Sequence, residues 1–301
     1  MYFSADNLVL VVAQAACVAL PGAGLPACAR RLRARSWALV LPLSIAVVVG
    51  ALSLAPTSAN VLTWVALLLV APGCALALGW AGRGARPRLA LLAAVLLALA
   101  WLDPGDRLGQ AAATLLIVGS AVTLGRLLAG VTPLTLLKVA VVAMAVVDAY
   151  LVFTNRLQAP NAVLVAASPG HGLPQLQSAS FGAAGLGYGD FFAAAVVGAI
   201  LAAERRNQLV AAVATVVFSL VWDQLFVLYD VLPATIPPAV TLLVLSGWRR
   251  TGRRRNTPAG ALTQPVAGAG DRRRRDPIVS DPVDVARTFR PHPLATKTGV
   301  Q

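Results

Sequence analysis

The chain has 301 residues, of which 58% are hydrophobic and only 12% charged, with a mean hydropathy of +0.75. A soluble domain carries roughly twice that charged fraction, so the composition excludes an ordinary soluble enzyme and indicates an all-α polytopic membrane protein. The net charge of +13 does not call for nucleic acid: twelve Lys/Arg against four Asp follow Trp248, the remaining excess lies in short loops, and no aromatic residues interleave with the arginines.

The opening MYFSADNLVL has no basic residue before its apolar run, unlike a cleaved secretory leader, so that run reads as a retained helix. Runs of about 17–22 apolar residues can cross a hydrocarbon core about 30 Å thick. About nine are present, at 7–27, 37–55, 60–80, 88–102, 111–130, 135–154, 184–203, 208–229 and 231–248. The fourth is short and the ninth contains prolines. The segments between them alternate in charge. Arg30, Arg31, Arg33 and Arg35 follow the first span, SLAPTSAN follows the second without charge, and Arg83, Arg86 and Arg88 follow the third. Asp103, Asp106 and a single Arg107 follow the fourth, Arg126 and Lys138 flank the next turn, and only Arg156 follows the sixth. Arg205 and Arg206 follow the seventh, no base follows the eighth, and WRRTGRRR follows the ninth. Basic loops stay on the cytoplasmic side, which predicts an N-terminus outside and a C-terminus inside.

Three regions follow: membrane helices one to five over 1–130, helices six to nine over 131–248, and a basic cytoplasmic tail over 249–301. The tail is rich in Pro, Arg and Asp and poor in aliphatics, so it is expected to be disordered, with arginines able to touch anionic lipid. The loop from about Asn155 to Ala183 holds several Pro and Gly and falls outside. Cys17, Cys28 and Cys74 form no CxxC or Cys/His cluster, so neither a metal site nor a disulfide framework is indicated, and no cofactor is called for.

The carboxylates are the informative residues. Asp148, in VAMAVVDAYLVF, falls about six residues, or about 9 Å, before the end of the sixth span. Asp190, in FGAAGLGYGDFF, falls about the same distance inside the seventh, which runs in the opposite direction. The two therefore lie at matched depth on adjacent antiparallel helices. A charged Asp in the bilayer costs about 2.5–3.5 kcal/mol, and two facing each other repel, so one shared proton is the natural resolution. That arrangement meets the needs of aspartyl proteolysis: one Asp takes a proton from water while the other polarises the scissile carbonyl. Gly185, Gly187 and Gly189 remove side chains around Asp190, leaving room for a backbone or a second helix. Pro233, Pro237 and Pro238 open the ninth span with irregular backbone, either a plain interfacial helix start or a place for an extended substrate.

Together these residues resemble the presenilin and signal peptide peptidase family of intramembrane aspartyl proteases. That family carries a Tyr-Asp motif on its sixth span, Gly-x-Gly-Asp on its seventh and Pro-Ala-Leu at the start of its ninth. VVDAYLV corresponds to the first, giving Asp148. GYGDFFAAAVVG corresponds to the second, with Gly187, Gly189 and Asp190, and LPAT to the third, with Pro233 and Ala234. The likeness covers about a third of the chain, from Val141 to Gly247, and the first five spans match only in number. It departs in three places. Val147 stands where the family has Tyr, with Tyr150 nearby; Tyr188 replaces the usual Leu between the glycines; and Thr235 replaces the Leu of the third motif. The resemblance implies catalysis by Asp148 and Asp190, with Gly187, Tyr188, Gly189, Pro233, Ala234 and Thr235 bearing on substrate. The N-out, C-in orientation resembles signal peptide peptidase, which implies transmembrane-helix substrates of type II orientation or signal-peptide remnants.

Alternatives stay open: a non-catalytic relative that binds membrane helices, and a proton-coupled transporter, since paired intramembrane carboxylates also relay protons. The prepilin-peptidase branch of Gly-x-Gly-Asp enzymes wants a basic residue shortly after the Asp, and GDFFAAAVVG has none. Asp223, near the outer end of the eighth span, reads as a structural hydrogen-bonding residue. His171 is a lone loop histidine, and Asp103, Asp106 and Asp230 read as exposed loop charges.

Overall fold

The computed structural model describes residues 4–23, 29–55, 57–170, 172–229 and 231–255, with backbone alone at 29–30 and 247–255. His171, Asp230, Cys28 and the tail from 256 lie outside the described residues. The fold is mostly helical. Five helices are long and apolar enough to cross a membrane: Ser36–Leu54, Ser58–Ala81, Arg107–Val131, Leu134–Phe153 and Gln208–Val227. Four shorter apolar helices, Ala5–Ala19, Pro87–Leu102, Tyr188–Ala203 and Ile236–Ser246, occupy the places of the first, fourth, seventh and ninth sequence-predicted spans.

In chain order, α1 covers Ala5–Ala19. It opens on Ser4, whose hydroxyl accepts from the Asn7 N–H at 3.1 Å, with Asp6 in the first turn where the helix dipole favours it. It stops at Ala19, short of the expected 27, because Pro21 cannot continue the backbone ladder and instead bridges to Gly82. Next come α2 (Val40–Leu54) and α3 (Ser58–Leu76), the latter ending in a π turn over Ala77–Ala81. After α4 (Leu92–Leu102), α5 (Arg107–Val131) runs 25 residues, and α6 (Leu134–Phe153) follows one tight turn later.

The expected loop between the sixth and seventh spans contains a short helix, α7 (Gln158–Ala166), and a two-stranded antiparallel hairpin. Its strands, β1 (Ser178–Phe181) and β2 (Ala184–Gly187), pair from Phe181 opposite Ala184 to Ser178 opposite Gly187. Gly182 stands at φ +57° in the two-residue turn, where hairpin twist requires a left-handed residue. Because 184–187 are taken up in the hairpin, α8 (Tyr188–Ala203) starts four residues later than expected. The last helices are α9 (Gln208–Trp222) and α10 (Ile236–Arg255). Helix α10 continues to Arg255, past the expected tail boundary at 249.

Residues Met1–Asn256 form one compact unit with α8 at its centre, packed on by α1, α5, α6, α9 and α10. Every residue from Phe191 to Ala202 is buried. The small side chains of AAAVVGAILAA allow this crowding. Gly125 of α5 lies against the Ala195 backbone, where a β-carbon would come within 2.6 Å, and Gly198 lies against the Val18 carbonyl. The outer surface is apolar instead: Leu54 is 90% and Leu102 82% exposed. Large aliphatic side chains facing outward around a core of small ones are what a lipid environment permits and water does not.

Candidate functional site

The site begins with the residue order at the start of α10. Thr235 precedes Ile236 and so occupies the N-cap position, where a threonine hydroxyl ordinarily accepts from the second or third N–H of the helix. Here those positions are Pro237 and Pro238, which have no N–H. Freed from capping, the Thr235 hydroxyl donates to Asp148 Oδ2 at 2.6 Å, and the Thr235 backbone hydrogen-bonds to the same carboxylate. Both residues are buried, at 2% and 6% exposure. The sequence-adjacent Pro233 is buried as well.

Asp190 sits in the first turn of α8 rather than a third of the way along a span, because the hairpin displaces the helix start. Its Oδ2 accepts from the Gly187 N–H at 3.1 Å, the reach-back of a capping box. The dipole of α8 adds to this, since the positive end of a helix favours a carboxylate. The cost of placing Asp190 beside an apolar helix is thus offset locally. Helices α6 and α8 pack together, with Met144, one turn before Asp148, lying 3.7 Å from the β-carbon position of Gly189, the neighbour of Asp190. By whole-residue exposure Asp190 is half-buried where Asp148 is buried.

The glycines do not act as expected. A β-carbon at Gly187 would come within 3.3 Å of Asp190 Oδ2, but at Gly189 it would meet only Met144 at 3.7 Å, and at Gly185 only the Ala179 carbonyl at 3.9 Å. No second helix presses on them; the close helix approaches are at Gly125 and Gly198 instead. The tightest of the three is Gly187, whose missing side chain leaves Asp190 Oδ2 free to accept from its N–H. Tyr188, by contrast, is turned to α5, where its hydroxyl pairs with Ser120 at 2.8 Å, while its backbone N–H donates to Gln177 at 3.2 Å.

One residue escaped the sequence reading. Gln14 of α1, 2% exposed, donates to the Ala234 carbonyl at 2.9 Å and reaches the Asp190 carbonyl at 3.5 Å. It ties the start of α8 to the segment before α10, and so holds the two sides of the carboxylate pair together. A lone amide in LVLVVAQAACVAL was its one visible sign. Asp223 stands apart, accepting from Asn7 Nδ2 at 2.7 Å. Asp103 and Asp106 are exposed. Among the described residues, no group of three His, Cys, Asp or Glu is arranged to hold a metal. Comparison with models of protein families, with curated proteins and with solved structures finds no match to this chain.

Proposed function

We propose that this chain is an intramembrane aspartyl endopeptidase of the presenilin and signal peptide peptidase kind, with Asp148 and Asp190 as its catalytic pair. The observation that carries the reading is a pair of carboxylates on two packed helices, one bonded to Thr235 and the other to Gly187. Their mutual repulsion leaves one ionised and one protonated carboxyl. The ionised carboxylate removes a proton from water, the protonated one polarises the scissile carbonyl, and the roles reverse as the tetrahedral intermediate collapses. In this reading the nine apolar helices all span the bilayer, with the N-terminus outside and the C-terminus inside. The substrate is a transmembrane segment of type II orientation or a signal-peptide remnant.

A helix cannot be cut until its backbone is exposed, so the site has to receive an extended segment. The free edge of β2 leads directly to Asp190, and residues 231–235 run without helix on the other side. Both offer backbone groups to a substrate strand. Thr235, in place of the family's Leu, gives Asp148 a hydroxyl donor, a polar substitute that keeps the carboxylate hydrogen-bonded.

The test is cleavage of a type II transmembrane peptide by the purified full-length chain, with Asp148→Ala and Asp190→Ala in parallel. Products are expected from the wild type and from neither variant. Products that persist in either variant overturn the two-carboxylate mechanism. No cleavage of any such peptide, with peptide binding retained, favours the non-catalytic relative; pH-driven uptake into vesicles favours the transporter.

A further inference from the structure

The far end of α8 carries a second site. About fifteen residues beyond Asp190, or about 22 Å along the helix, a cavity of about 560 Å³ opens at the arginine-rich end of the bundle. Its walls are Pro21 and Ala23 beyond α1, Arg83 beyond the π turn, and Arg205, Arg206 and Asn207 between α8 and α9. Arg206 is committed: it donates to Glu204 Oε2 at 3.1 Å and to the Leu245 carbonyl. Glu204 is held in addition by Lys138 at 2.6 Å. Arg126 braces the wall, donating to the Ala23 carbonyl at 3.4 Å and lying 4.1 Å over the Trp80 ring. Arg83 and Arg205 differ. Both are exposed, and among the described residues neither guanidinium has a carboxylate or carbonyl partner.

Arg205 is also strained. Its φ of +55° puts it in the left-handed conformation that follows many helices, where glycine is the usual residue. Loop arginines at this end would satisfy charge-driven orientation from any conformation; nothing in that role requires an arginine in this one.

Next to this cavity lies another, of about 370 Å³, between α3, α4 and α5, and Arg83 belongs to its wall too. Its lining is apolar, with Leu78, Leu92, Val95, Leu96 and Val118. Leu92 and Val95 are exposed, so the slot opens to the outer apolar surface. Ala77 and Leu78 of the π turn, a distortion that recurs at functional sites, lie on the wall of this second cavity. Two unpartnered guanidiniums on one cavity, one of them also on the wall of a hydrocarbon-lined slot, describe one kind of ligand, an anion with an acyl chain.

We propose that this end of the bundle binds one anionic phospholipid, its phosphate between Arg83 and Arg205 and an acyl chain in the slot between α3, α4 and α5. Basic pockets between membrane helices hold lipid headgroups in this way. The site is separate from the aspartate pair, and it stands whether or not the chain is a protease.

The test uses the full-length chain in mild detergent, titrated with spin-labelled phosphatidylglycerol. The double variant Arg83→Gln, Arg205→Gly is expected to bind about thirtyfold more weakly, at roughly fivefold per guanidinium. Arg205→Gly alone relieves the left-handed strain, so it is expected to unfold no earlier than wild type while losing about fivefold in affinity. Phosphatidylcholine and glycerol phosphate are expected to compete poorly, one lacking net charge and the other the chains. Unchanged affinity in the double variant would place the lipid on the basic segment or the general apolar surface and overturn the proposal. So would equal binding of phosphatidylcholine. Full competition by inorganic phosphate would reduce the site to a plain anion pocket and overturn the lipid assignment.

Discussion

Replacing Gln14 by Leu removes the amide that joins α1 to both sides of the carboxylate pair while keeping the volume of the side chain. Two contacts are lost, one of good length to Ala234 at 2.9 Å and one at the limit to Asp190 at 3.5 Å. Side-chain hydrogen bonds between membrane helices average about 0.6 kcal/mol, with a ceiling near 1.7. The stranded Ala234 carbonyl adds a desolvation cost of about 1–3 kcal/mol where water cannot reach it. Together these place the loss at about 1.6–4.7 kcal/mol, more than tenfold in the folded-to-unfolded ratio. Equilibrium unfolding in mixed micelles measures it directly. Cleavage should fall further than stability, because a segment displaced by about an ångström beside the reacting atoms can cost about a hundredfold in rate. Gln14→Glu should be the more severe variant, since it replaces the donor by a third carboxylate next to Asp190. A Gln14→Leu protein that unfolds within about 0.3 kcal/mol of wild type and cleaves at the wild-type rate would refute the account, because such a margin lies below any hydrogen bond worth naming.

Thr235→Val keeps the shape and removes the 2.6 Å bond to Asp148; a hydrogen bond to an ionisable group is worth about 1.5–3 kcal/mol, so kcat is expected to fall at least tenfold, with Thr235→Ser restoring most of it. Equal activity of the Val and Ser variants would show that the hydroxyl is idle. Gly125→Ala drives a methyl to within 2.6 Å of the Ala195 backbone, and overpacking of this kind costs about 1–3 kcal/mol, readable as a lowered Tm in detergent. Gly189→Ala, where a methyl meets only Met144 at 3.7 Å, should leave the Tm unchanged, so any loss of cleavage in it reports an effect local to Asp190 rather than unfolding. Asn7→Leu removes the 2.7 Å bond to Asp223 at the C-terminal end of α9 and should cost about 0.6 kcal/mol in unfolding free energy without affecting cleavage.

The positions of the helices were largely legible in the amino-acid sequence, because an apolar run is a local property; each of the nine runs contains a helix, though only five of these are long enough to cross a membrane. So was the interest of Asp148 and Asp190, since a carboxylate amid aliphatics is costly wherever the chain goes. The ends of the helices were read less well. The first stops at Pro21, and the seventh starts only at Tyr188, because 184–187 pair with a strand six residues upstream and hydrogen-bonding to a neighbour outweighs apolar composition. The partners of the carboxylates were beyond reach altogether. That Thr235 meets Asp148, that Gln14 meets Ala234, and that Arg83 and Arg205 share a cavity all join residues far apart in the chain. Periodicity and composition report which face of a helix is apolar, but in lipid nearly every face is, so they carry no record of which helices touch. The sequence by itself determined the helices and the residues too costly to be idle; only tertiary packing decided which of those residues meet.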